Sequence, residues 1–165
     1  MARFFPNPGI RTLALAALTA LAASSAHAQG WGAPGVCSVA ILSAGSGGGV
    51  SQTDTISGVA TLPSGVNLWI FTQVKGSKLW WAQGGGDAAR VAPGGGQWTA
   101  SATFGLPQEA GKDFNIAAVP VDDDTDVSLT MSARRANAKH NYPGMALPAS
   151  ADNCRAAKVT VHRVQ

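Results

Sequence analysis

Three glycine triplets set the terms on which this chain can fold. Gly47–Gly49, Gly84–Gly86 and Gly94–Gly96 each interrupt a run of residues that favour extended backbone. A glycine triplet ends a regular element because it offers no side chain to pack and has the most conformational freedom to lose. Between and beyond the triplets lie segments of strand length: Val36–Leu42, Thr55–Leu62, Val66–Val74 and Lys78–Gln83. The pattern is clearest in Gln97–Phe104, where Trp98, Ala100, Ala102 and Phe104 alternate with Thr99, Ser101 and Thr103. That two-residue period belongs to a strand with one buried and one wet face. Asp113–Val119 repeats it with Phe114, Ile116 and Ala118, and Lys158–Val164 closes the chain with β-branched residues. Seven such segments predict an all-β fold, an immunoglobulin-like β-sandwich of about seven strands.

One stretch breaks the rhythm. Pro120–Ala157 is too long for a hairpin connection. Val127, Leu129 and Met131 alternate as in a strand, but the charges are ordered as in a helix. Asp124 would cap it, Asp126 sits in the first turn, and Arg134, Arg135 and Lys139 sit in the last, which suits the helix dipole. Asn141 and Pro143 would end it. The sequence therefore predicts one short helix inserted before the last strand.

The N-terminus carries a separate message. Arg3 and Arg11 form a basic start, Leu13–Ala23 an apolar run, and Ala26-His27-Ala28 a small-x-small cleavage site. These are the parts of a signal peptide over residues 1–28, leaving 29–165 as the β-sandwich domain. The apolar run is short for a membrane span and no second one follows, so no span is expected after signal removal. Two of the twelve basic residues leave with the signal, and the remaining ten face nine acidic ones. A near-neutral domain without a basic stripe gives no electrostatic footprint for nucleic acid. The expected destination is outside the cytoplasm, in the periplasm or secreted.

In an oxidising compartment an isolated cysteine pair reads as a disulfide, here Cys37–Cys154. A metal site would need further ligands, and only His140 and His162 lie beyond the signal. In sandwiches of this kind the first strand, or its second half, often runs parallel beside the last. That arrangement would bring both cysteines to one end.

Residues able to carry chemistry are few. Asp122, Asp124 and Asp126 could offer oxygens to Ca²⁺, although the glycine and distal glutamate of an EF-hand are missing; otherwise this is a solvated turn capping the helix. No serine sits in a nucleophile-elbow motif. Glu109 lacks an obvious carboxylate partner for glycosidase work. The glycine triplets do not lead into helices as phosphate-binding loops do. No catalytic residue is assigned. Of five tryptophans, Trp31, Trp69, Trp80, Trp81 and Trp98, Trp69 and Trp98 read as core. Trp80 and Trp81 are adjacent, so on a strand they point to opposite faces. One joins the core; the other is covered by the long insertion or left to stack on a sugar or anchor a protein.

Several stretches resemble a set of uncharacterised bacterial exported β-sandwich domains: Val66–Phe71, Leu79–Gly84, Gly96–Thr99 running on to Thr103–Gly105, and Gly111–Ile116. Tyr142–Gly144, Leu147-Pro148 and Val159–Arg163 are similar to that family's ending. Ala82 stands where the family usually has proline, and the cysteine pair is outside its pattern. The resemblance implies the same fold, a helix before Tyr142 and an accessory role on exported proteins. It implies no site residues.

The leading expectation is therefore a non-catalytic exported module that binds a protein, glycan or envelope ligand through Trp80 or Trp81. One alternative is a small exported hydrolase built on Asp122–Asp126 with Ca²⁺ or His140. Another is a structural envelope protein without a ligand.

Overall fold

The computed structural model describes residues 36–45, 49–89, 91 and 95–164; the expected signal peptide and Trp31 lie outside the described residues. The elements are β1 (Ser38–Ala44), β2 (Thr53–Thr61), β3 (Val66–Val74), β4 (Trp81–Ala82), β5 (Gly96–Thr103), β6 (Asp113–Asp122), α1 (Asp123–Lys139) and β7 (Ala157–His162). They form a β-sandwich of two antiparallel sheets, ordered β1-β2-β5 and β4-β3-β6-β7, with the helix before the last strand. The segment expected as Lys78–Gln83 pairs only at Trp81 and Ala82, because Trp80 is bridged to Met145 instead.

The alternation read in the sequence lines the space between the sheets. Ile56, Ala60, Trp98, Ala102 and Phe104 meet Leu68, Ile70, Phe114, Ile116 and Ala118 across that space. The Phe104 and Phe114 rings meet edge to face at 5.7 Å, the arrangement that the ring quadrupoles favour. Gly58 lies opposite Trp98 in the β2–β5 ladder. A Cβ on Gly58 would stand 2.0 Å from the Ala40 carbonyl oxygen and 2.4 Å from the indole ring, so the bare backbone makes room for that tryptophan.

β3 and β6 do not alternate, and the reason is a third layer. Trp69, Phe71, Ala117, Val119 and Val121 point away from the sheet interface, yet all are buried with Trp80 and Leu129 in a second apolar cluster. α1 and the chain that follows it cover this face. Asp122 is the N-cap, two residues before the expected Asp124, and its carboxylate accepts from the Thr125 amide at 2.8 Å. The helix runs for 17 residues and stops where His140 turns left-handed at φ 48°. Leu129 is its buried residue, while Val127 and Met131 are exposed. Spaced i and i+4, those two share one helical side, so their apparent strand alternation with Leu129 is incidental. The helix rests on the second glycine triplet: Asn137 Nδ2 donates to the Gly85 carbonyl at 3.2 Å, and a Cβ on Gly86 would meet Ala133 Cβ at 2.9 Å.

The disulfide joins Cys37 and Cys154, with Cα atoms 5.1 Å apart, and ties the start of β1 to the approach to β7. The parallel pairing expected of the first strand falls elsewhere. β1 itself is antiparallel to β2 in the other sheet. The chain bends at Gly45, whose φ is +72°, and a Cβ there would lie 2.4 Å from the Gly49 carbonyl oxygen. Only after this bend does Val50 pair with Arg163 in parallel: its amide donates to the His162 carbonyl at 2.9 Å and its carbonyl accepts from the Val164 amide at 3.0 Å.

One end of the sandwich closes on a buried cation. Arg163 is 1% exposed and its Nη1 donates to the carbonyls of Phe104 and Leu106. Glu109 organises the same loop, accepting from the Leu106 amide at 2.9 Å and from Lys112 Nζ at 3.2 Å. The backbone N–H of Leu106 leads in holding the Glu109 carboxyl below its ordinary range, with Lys112 and Arg163 assisting against burial. Among the described residues, no helix is long and apolar enough to cross a membrane.

Two measurements check this account. Closing a loop of 117 residues should stabilise by about 5 kcal/mol in the chain-entropy account. Denaturation of Cys37→Ser/Cys154→Ser against the oxidised protein should show a loss approaching that value. Gly58→Ala should destabilise by about 2–3 kcal/mol through overpacking against Ala40 and Trp98, and an unchanged urea midpoint would disprove the contact.

Candidate functional site

After β3 the chain turns through Lys75-Gly76-Ser77, where Ser77 N–H donates to the Val74 carbonyl at 2.9 Å and Gly76 adopts φ +90°. It returns along the sheet edge as Leu79, Trp80 and Trp81. Trp80 exchanges two backbone hydrogen bonds with Met145, each 2.8 Å, which anchors the insertion to this edge. The adjacent tryptophans separate as strand geometry requires. Trp80 is 8% exposed and joins the outer cluster among Met145, Leu147 and Ala156, with Lys158 Nζ 5.8 Å above its ring. It is therefore a covered residue, not a contact surface.

Trp81 pairs with Thr72 and is half-buried. Its Nε1 donates to the Tyr142 carbonyl at 3.2 Å. Gly144 comes so close that a Cβ would lie 3.0 Å from the Trp81 ring and 2.8 Å from Leu79 Cβ. Leu79 and Tyr142 remain 46% and 57% exposed beside it. The result is an apolar ledge of Leu79 and Trp81 on the rim of the four-stranded sheet, with exposed Tyr142 bonded to the Trp81 indole through its main-chain carbonyl. Gln83 stiffens its support: Nε2 donates to Thr72 Oγ1 at 2.8 Å and to the Trp81 carbonyl at 2.9 Å, while Oε1 accepts from the Thr103 amide at 2.7 Å. The reading from sequence missed Tyr142 and Leu79 as site residues. Tyr142-Pro-Gly144 had been visible as a motif, but only folding sets it against Trp81.

The aspartates candidate for Ca²⁺ are dispersed into separate duties. Asp122 caps the helix. Asp126 Oδ1 accepts from Trp69 Nε1 at 2.6 Å, and Asp123 Oδ1 accepts from Asn67 Nδ2 at 3.0 Å; both bonds dock the helix on β3. Asp124 lies in the first turn between them. Among the described residues, no three His, Cys, Asp or Glu side chains come together as a metal-holding group. His140 caps the far end of α1, about 25 Å from the aspartates at 1.5 Å per residue. The geometry does not bring together the groups that the hydrolase alternative requires.

A second polar assembly lies where the helix leaves the outer sheet face uncovered. Thr160 Oγ1 donates to Asn115 Oδ1 at 2.8 Å, Asn115 Nδ2 to Gln73 Oε1 at 2.9 Å, and Gln73 Nε2 to the Ser77 carbonyl at 2.8 Å. One step along the strands, Asp113 is held by His162 Nδ1 at 2.9 Å and Lys75 Nζ at 3.1 Å. These are registered cross-strand partners, so the row follows from sheet pairing and fixes the ends of β3, β6 and β7.

Comparison with known protein families, with curated proteins and with solved structures finds no match.

The His162 hydrogen bond, followed by that of Lys75, holds the Asp113 carboxyl below its ordinary value. A depressed carboxylate contributes stability above its unfolded pKa and loses it as pH falls through its lower folded value. Asp113→Asn should therefore flatten the acid limb of the stability profile below about pH 4. Denaturant midpoints measured against pH in both proteins provide the check.

Proposed function

We propose that this chain is a non-catalytic exported module that presents the ledge of Leu79 and Trp81, with Tyr142 beside it, to a protein or glycan ligand. The observation that carries the reading is a braced, half-buried tryptophan on a sheet rim, with exposed Leu79 beside it and its indole bonded to the main-chain carbonyl of exposed Tyr142. Such a surface recognises a flat apolar face, whether of a sugar ring or of a partner's side chain. Rigid aromatic groups lose little conformational freedom on binding, which favours them as anchors.

Export is supported by the signal-like residues 1–28 and by the Cys37–Cys154 disulfide. The immunoglobulin-like reading is supported by the three-plus-four strand order and by Val50 running parallel beside the end of β7. The resemblance to exported bacterial β-sandwich domains, carried by Val66–Phe71, Leu79–Gly84 and Tyr142–Gly144, supports an accessory role. The separate structural duties of Asp122, Asp123 and Asp126 favour binding over hydrolysis.

The test is capture by the oxidised protein from envelope extracts in one arm and from a glycan panel in the other. Trp81→Ala and Tyr142→Ala should each weaken the captured ligand by about 10- to 30-fold, as loss of an aromatic anchor does. Circular dichroism confirms that both variants remain folded. Ligand retained undiminished by both folded variants, or no ligand retained in either arm, would reject the reading.

A further inference from the structure

We propose that the groove between β1 and β7 accepts an extended peptide segment of a partner protein, which adds to the outer sheet as a short strand beside β7. This inference is independent of the aromatic ledge and rests on the direction of main-chain groups. Arg163 N–H donates to the Lys112 carbonyl at 2.9 Å, and its carbonyl accepts from Gly111 N–H at 2.8 Å, so the main chain of Arg163 faces β6. The neighbouring His162 carbonyl and Val164 amide face the other way, where both bond to Val50. Strand geometry alternates these directions. Val159 and Val161 therefore bond inward to β6, and the N–H and C=O groups of Lys158 and Thr160 point to the outer edge.

Among the described residues, Val50 is the one that pairs in parallel with that edge. On the N-terminal side of the Gly45 bend the chain lies in the other sheet, where β1 pairs with β2. Among the described residues no bridge joins β1 to β7. Between them lies a groove of about 260 Å³, walled by Ile41–Ala44 on one side and Val159–His162 on the other. Its apolar lining is incomplete core: Val159 and Val161 are only half-buried, whereas Phe114 and Ile116, their partners on β6, are at most 1% exposed.

These features specify the occupant. Only a polypeptide main chain supplies donors and acceptors at strand spacing, and its alternate side chains would complete the lining over Ile41, Val159 and Val161. Among the described residues no strand pairs with the outer edge from Lys158 to Val161, which is roughly 13 Å long, the length of four extended residues. A lone strand fits beside the β1 wall. The edge of a second folded copy would bring its own β1 into that space, so continuity with the Val50 pairing favours a partner's extended segment.

The probe is an acetylated, amidated peptide of alternating threonine and valine, flanked by lysines and added at millimolar concentration to the oxidised full chain. In the free protein, the amides of Lys158 and Thr160 should exchange about 100-fold faster than those of Val159 and Val161. Peptide should slow exchange at Lys158 and Thr160 by about tenfold or more. Methylating alternate peptide nitrogens should abolish that protection, and so should Thr160→Pro, which removes an edge N–H at a position where proline is tolerated. The proposal is overturned if Thr160 is already as protected as Val161, or if no protection appears with peptide. It also falls if the methylated peptide protects equally, if a folded Thr160→Pro protein responds as the parent does, or if self-association alone protects these amides. The methylated peptide keeps the test decisive should Thr160→Pro fail to fold.

Discussion

The structure depends on the antiparallel ladder between β3 and β6, which runs unbroken from Val66–Asp122 to Val74–Phe114. Among the described residues it is the one pairing with buried clusters on both faces. Leu68, Ile70, Phe114 and Ile116 meet the other sheet on one side, while Trp69, Phe71, Val119 and Val121 meet the helical layer on the other. Each large side chain fully removed from water contributes about 1.5–3 kcal/mol, and this central pair carries a disproportionate share of them. β4 and β7 are then edges built onto it, and α1 is a lid docked against it.

That arrangement explains why so few polar groups remain for chemistry. A helix with a single buried residue needs polar contacts to fix its position, and Asp123 and Asp126 supply them through Asn67 and Trp69. The most conspicuous acidic cluster in the sequence is thereby spent on joining layers. The tryptophan pair divides in the same way. Trp80 completes the outer apolar cluster, and Trp81 stays on the rim because Tyr142–Gly144 covers only part of its ring. The β7 edge has a related cause: β1 pairs with β2 in the other sheet, and among the described residues only Val50, past the Gly45 bend, pairs in parallel at the end of β7.

Legibility in the sequence followed burial. β5 was plain from Trp98, Ala102 and their hydroxyl-bearing neighbours because one face is wet and the other dry. β3 was located from its apolar composition, but its two-sided burial could not be read without knowing that a helix lies over it. The helix was recognisable from charge order, although the cap fell at Asp122 instead of Asp124, since several aspartates in a row can each accept from an amide three residues on. β4 was overestimated because Trp80 satisfies its main chain with Met145, 65 positions away in the chain. Of the candidate site, Trp81 was visible in advance and Tyr142 was not, because nothing local links residues 81 and 142.

Alternation, glycine punctuation and the cysteine pair determined by themselves that this chain makes a two-sheet sandwich stapled once, because periodicity and loop closure are properties of the chain's own spacing. Which aromatic is covered, which aspartates are occupied and which sheet the first strand joins were decided only by tertiary structure. Those outcomes turn on contacts between segments far apart in sequence, and local composition carries no record of which distant backbone will arrive to meet it.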